Sequence, residues 1–108
     1  MGFSSRQIVC LDHPPARLYG EVIQVLEGSQ RCWLRPWILV TEEFTLDARE
    51  ASDVVYPLAL FRAAEDEEFL ALLPLLEAKE PNGEAKPQLR RFLEGVWRAR
   101  PELFGACP

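Results

Sequence analysis

Apolar and polar residues alternate through the first half of the chain, then recur at three- and four-residue spacing through the second, with the change near Pro57. Alternation marks half-buried strands and the longer spacing marks amphipathic helices. Strands are predicted at Gln7–Leu11, Arg17–Glu27, Arg31–Thr41, Phe44–Leu46 and Val54–Tyr56. Asp12-His13-Pro14-Pro15 ends the first, because proline lacks a ladder donor and biases its predecessor away from helix. Gly28-Ser29 between the second and third predicts a two-residue type II′ hairpin turn.

Closing that turn with Glu27 opposite Gln30 places Val25 against Cys32, Ile23 against Leu34 and Tyr19 against Ile38. All six then share one apolar face, broken only by Glu21 and Pro36, which is the expected core face. The opposite face pairs Leu26 with Arg31, Gln24 with Trp33, Val22 with Arg35 and Gly20 with Trp37.

Past Pro57 a first helix is expected from Glu65 to Glu77, its opening carboxylates Glu65-Asp66-Glu67-Glu68 favoured by the positive end of the helix dipole. Pro74 costs about 3 kcal/mol in a helix interior, so a kink or an early end is predicted there. Lys79–Lys86 reads as a solvated loop with Pro81, Asn82 and Gly83. A second helix from Pro87 to Arg98 gathers Leu89, Phe92, Leu93, Val96 and Trp97 on one arc and Arg90, Arg91, Glu94 and Arg98 on the other. That basic arc is either a solvated face or a docking face for an acidic partner. Leu103-Phe104 is expected to fold back onto the core.

Strands followed by helices define an α+β domain. The expected architecture is a strongly bent antiparallel sheet, or a small SH3-like barrel, of about five strands followed by two C-terminal helices. An oligonucleotide-binding barrel is the nearest rival. The 108 residues fit one domain, with its β part over 7–57 and its helical part over 64–104.

Composition narrows the function. Seventeen acidic residues against twelve basic give a net charge of −5, which disfavours non-specific phosphate binding. No apolar run, Trp37–Val40 and Phe69–Leu73 included, approaches the ~20 residues that a spanning helix needs. Residues Met1–Arg6 lack the pattern of a secretory signal, so a cytoplasmic location is expected. Cys10, Cys32 and Cys107 form an odd set without short spacing, which fits buried thiols at Cys10 and Cys32 and an exposed one at Cys107. Cys10 and His13 lack the second pair that a zinc site requires, so neither metal nor cofactor is expected. A Gly-rich phosphate loop, a nucleophile elbow and a paired histidine are all missing from the sequence, which argues against an enzyme.

The surface most suited to recognition is the non-core face of the third strand, where Arg31, Trp33, Arg35 and Trp37 alternate. Tryptophan and arginine combine large contact area with a directional polar group and are enriched at binding hot spots. A helix of the same chain could equally cover this face. The polar segment Asp47–Asp53, with Asp47, Arg49 and Asp53, is a second candidate, either as a braced turn or as a recognition loop.

The succession RLYGEVIQV, RCWLRPWIL, LDAREASDVVYPLALFRAA and LLPLL, over Arg17 to Leu76, resembles a family of short uncharacterised cyanobacterial proteins. The resemblance implies a cytosolic or thylakoid-peripheral setting and an accessory or assembly role in photosynthetic complexes, and it carries no catalytic residue. The expectation is a non-enzymatic protein-interaction module with a protein partner, peripheral to membranes at most through a complex. The alternatives are a single-strand nucleic-acid-binding barrel and thiol chemistry at Cys10.

Overall fold

The computed structural model describes residues 3–77 and 85–104. The exposed Cys107 and most of the Lys79–Lys86 loop expected above lie outside them. The chain is α+β, and the described residues form six antiparallel strands: β1 (Ile8–His13), β2 (Ala16–Leu26), β3 (Arg31–Val40), β4 (Thr45–Asp47), β5 (Val54–Pro57) and β6 (Phe61–Ala63). Three helices follow, α1 (Asp66–Leu70), α2 (Leu73–Glu77) and α3 (Ala85–Ala99), and a 3₁₀ turn at Pro101–Phe104 ends the described chain.

The strand order is β4-β3-β2-β1-β6, and β5 also pairs with β3, beyond the end that β4 occupies. The sheet is open, since among the described residues β6 pairs only with β1. It nevertheless cannot lie flat. β5 and β6 occupy opposite edges, four strand spacings or about 19 Å apart in a planar sheet. Pro57 faces Arg31, whereas Phe61 aligns through Leu11 and Leu18 with Leu39, which adds about 26 Å along the strands. Only the 3₁₀ turn Leu58–Leu60 joins Pro57 to Phe61, and four Cα steps reach about 15 Å at most. The sheet must therefore curl until its edges approach.

Two bulges provide the curl. The β2–β3 register shifts between Tyr19 and Gly20 and again between Val22 and Gln24, leaving Trp37 unpaired on β3 and Ile23 unpaired on β2. Bulges bend a strand and increase its twist. The expected uninterrupted register is thus corrected in the middle of the hairpin. Leu34 faces Val22, not Ile23; Glu21 faces Arg35; Gly20 faces Pro36, not Trp37. Near the turn, Leu26–Arg31, Val25–Cys32 and Gln24–Trp33 pair as expected, and beyond both bulges so does Tyr19–Ile38.

The turn also differs from the Gly-led type. Pairing stops at Leu26–Arg31, so the connection is the four residues Glu27–Gln30, with Ser29 N–H donating to Leu26 O and Gln30 N–H to Glu27 O. The left-handed residue is Gln30, at φ 56°, rather than Gly28.

The bulges also divide the one expected core face into two. Cys32, Leu34, Val22, Leu18 and Leu39 belong to a cluster with Val9, Leu11 and Phe61, which Ala85, Leu89, Phe92 and Val96 of α3 complete. Tyr19 and Ile38 instead join Cys10 and Leu76 in a second cluster, packed by Phe69, Leu72 and Leu73 of α1–α2. Helices therefore cover both faces of the sheet, α3 on one and α1–α2 on the other. Phe104 folds back onto the larger cluster, its ring edge-on to Tyr56 at 4.8 Å.

The expected single helix 65–77 is two five-residue helices separated at Ala71–Leu72. Pro74 explains the break, since in one continuous helix its ring would meet the carbonyl of Leu70 and remove a bond there. As the second residue of α2 it leaves no intrahelical donor missing. Glu65 caps α1 through a reciprocal box with Glu68.

Gly20 leaves no room for a side chain in the hairpin, because a Cβ there would lie 2.7 Å from both Leu34 Cγ and the Arg35 carbonyl oxygen. Gly20→Ala is expected to lower stability by about 2–3 kcal/mol in urea unfolding, as overpacking against backbone does. Gly28→Ala, where a Cβ meets open space, serves as the neutral control.

Candidate interaction surface on the third strand

The seven residues singled out from the sequence fall into three groups along β3. At its start, Arg31 reaches across the sheet edge, its Nη2 donating to the Phe104 carbonyl at 3.0 Å. It ties the C-terminal turn to the strand.

At the middle, Trp33 Nε1 donates to Asp53 Oδ2 at 2.9 Å, while Arg35 Nε lies 3.4 Å from Asp53 Oδ1. One carboxylate, delivered by the loop before β5, thus fixes an indole and a guanidinium two residues apart on the same strand face. Trp33 is half-buried and belongs to neither core cluster. Directly across the ladder stand Val55 on β5, 43% exposed, and the exposed Gln24 on β2. Cross-strand neighbours share a face. Val55, Trp33 and Gln24 therefore form a band across three strands, flanked by Arg35.

At the end of β3 the arrangement is different. Trp37 packs against the second cluster, its ring edge-on to Phe69 of α1 at 5.7 Å. Arg49 lies 5.9 Å from the Trp37 ring centre and grips Asp47 with two bonds, Nε–Oδ1 at 2.9 Å and Nη2–Oδ2 at 2.7 Å. The Arg49 backbone N–H also donates to Asp47 Oδ1. These bonds hold the buried Asp47 carboxyl below the usual carboxylate range against the opposing effect of burial. Asp47–Arg49 is a braced turn over a helix-covered indole, whereas Trp33–Arg35–Asp53 faces outward.

A second polar network was not read from the sequence. Arg62 on β6 donates from Nε to Asp12 Oδ2 at 2.6 Å and from Nη1 and Nη2 to Glu68 at 2.8 and 3.0 Å. The Tyr19 hydroxyl, in the core of the sheet, also donates to Glu68 Oε1. The guanidinium first, and Tyr19 with it, lower the Glu68 carboxyl to about 2. These bonds pin α1 to β1, β2 and β6. The four residues lie up to 56 positions apart, and the β1–β2 and β1–β6 pairings together bring them to one place.

Cys10 is fully buried beside this network, its thiol pushed up to about 12 by burial and then by the Asp12 charge. Burial likewise raises Cys32 to about 11. Cys10 lies in the α1–α2 cluster, whereas His13 contacts Phe92 of α3 on the other side of the sheet. The two point to opposite faces and do not form a pair. Among the described residues, no group of three or more His, Cys, Asp and Glu side chains has a metal-holding arrangement, and no helix is long and apolar enough to cross a membrane.

No protein family, curated protein or solved structure matches the chain.

Because Glu68 has a folded-state value below its unfolded one, the stability it contributes is complete above pH 4.5 and disappears as pH falls towards 2. Glu68→Gln is expected to flatten the acid limb of the stability–pH curve over that window, measured by urea unfolding at each pH. Tyr19→Phe should cost about 1.5–3 kcal/mol at neutral pH, the usual range for a hydrogen bond to a charged group.

Proposed function

We propose that this protein is a non-enzymatic protein-interaction module whose contact surface is the Trp33 band of β3 and β5. The observation that carries the reading is that Trp33 stays outside both core clusters while Asp53 holds its indole and Arg35 in place. A large aromatic fixed before binding loses little rotamer freedom when a partner docks, which favours a hot spot. Val55 extends the apolar surface, and Arg35 and Asp53 offer polar groups at its rim. Trp37, Asp47 and Arg49 then serve as the wall beside the site, and Arg31 as the tie to the C-terminal turn.

The curled sheet fits a small, partly open SH3-like barrel, in which edge strands β5 and β6 run on from each other through one 3₁₀ turn. Such a frame presents the outside of β3 on a stiff support. The resemblance of residues 17–76 to short cyanobacterial proteins favours an accessory or assembly role in a larger photosynthetic complex. Nucleic-acid stacking on Trp33 is the weaker reading, since the Asp53 carboxylate stands beside the ring and the chain carries −5.

Val55→Lys, on an exposed strand position, should leave the thermal midpoint within about 2 °C of the parent while abolishing partner capture from native extract. Trp33→Ala should abolish the same capture. Equal recovery of the same partner by parent and both variants would refute the assignment. A shift of labelled oligonucleotides that weakens steeply with salt would favour the nucleic-acid reading instead.

A further inference from the structure

The solvent side of α3 differs in charge from the rest of the molecule. Residues 85–104 carry five cations and two carboxylates, a net +3 in a chain of −5, which leaves −8 elsewhere. Lys86, Arg90 and Arg98 are exposed and form no salt bridge among the described residues. Beside them Trp97 is 56% exposed, and Glu94, Trp97, Arg98 and Pro101 line a hollow of about 420 Å³. A second hollow, of about 370 Å³, shares Glu94 with it and runs along Arg90 and Lys86 between α3 and the loop that carries Asp53. With helical spacing of three and four, 86, 90, 94, 97 and 98 make one continuous stripe.

The complementary surface lies on the same chain. Asp66 and Glu67 of α1 are exposed, and Leu70 of α1 and Leu75 of α2 are 59% and 43% exposed. That surface offers carboxylates beside apolar side chains, where the α3 stripe offers cations beside an indole. α3 covers one face of the sheet and α1–α2 the other, so the two surfaces cannot meet within one molecule.

We propose that the α3 stripe is a docking surface for the α1–α2 arm of a second copy of this chain, giving a head-to-tail assembly. The contact is heterologous and extends into a ring or a short filament according to the rotation between copies. Glu94, in the middle of the stripe, opposes a uniformly charged polyanion, while a helical arm can place Leu70 or Leu75 against the exposed Trp97 indole. The few apolar side chains involved set a weak interface, with a dissociation constant on the order of 0.1 mM.

Sedimentation equilibrium of the full chain tests this with two charge reversals at exposed positions, Arg90→Glu/Arg98→Glu on α3 and Asp66→Lys/Glu67→Lys on α1. At low salt the parent's weight-average mass should rise with concentration above the 12.3 kDa of one chain. It should fall back in about 0.5 M salt, where the Debye length is about 4 Å. Each variant alone should remain monomeric, and an equimolar mixture of the two should associate again. Val55→Lys should assemble like the parent, which separates this test from that of the Trp33 surface. A parent that stays monomeric at low salt would overturn the proposal. So would one reversal that leaves assembly intact, as a symmetric contact would allow, or a mixture that fails to associate.

Discussion

Two extra residues, one on each strand of the central hairpin, determine how the rest of the molecule is put together. Trp37 on β3 and Ile23 on β2 have no partner in the ladder, and the short stretch between the two irregularities passes through Gly20, where there is no space for a side chain. A flat hairpin would hold β5 and β6 at opposite edges, farther apart than the three intervening residues can span. With the bulges, the sheet curls enough for a single 3₁₀ turn to bridge them. The larger cluster that this curl encloses is the one that α3 completes.

The same bulges decide what faces outward. Beyond the first, Trp37 and Ile38 both turn towards α1–α2, and the indole that the alternation had placed outside becomes part of a helix-covered wall. Trp33 and Arg35, on the hairpin side of that irregularity, keep the outward direction that alternation predicts. Asp53 then fixes them from the loop before β5. The difference between the helix-covered and the outward-facing tryptophan on this strand is thus four positions and one bulge.

Some of this was readable in the sequence. The hairpin, the pairs nearest its turn, the α+β order, the opening of α1 at Glu65 and the break near Pro74 follow from patterns within a few residues of one another. The double register shift is hidden because its two parts cancel. Tyr19 meets Ile38 with or without it, so the ends of the hairpin match while Val22 and Ile23 exchange roles between them. Pairing of β3 with β5, which sets Val55 beside Trp33, and the approach of Asp12 and Tyr19 to Arg62 and Glu68 depend on contacts between distant segments. No local periodicity encodes them. In the candidate site, the residue types on β3 were visible, but which of the two indoles is covered depended on that hidden shift.

Interstrand nuclear Overhauser effects across the β2–β3 hairpin test the bulged register most directly. The account predicts contacts of Leu34 with Val22 and of Pro36 with Gly20, together with Tyr19–Ile38 and Val25–Cys32 on either side. A continuous ladder, with Ile23 opposite Leu34 and Trp37 opposite Gly20, would contradict it.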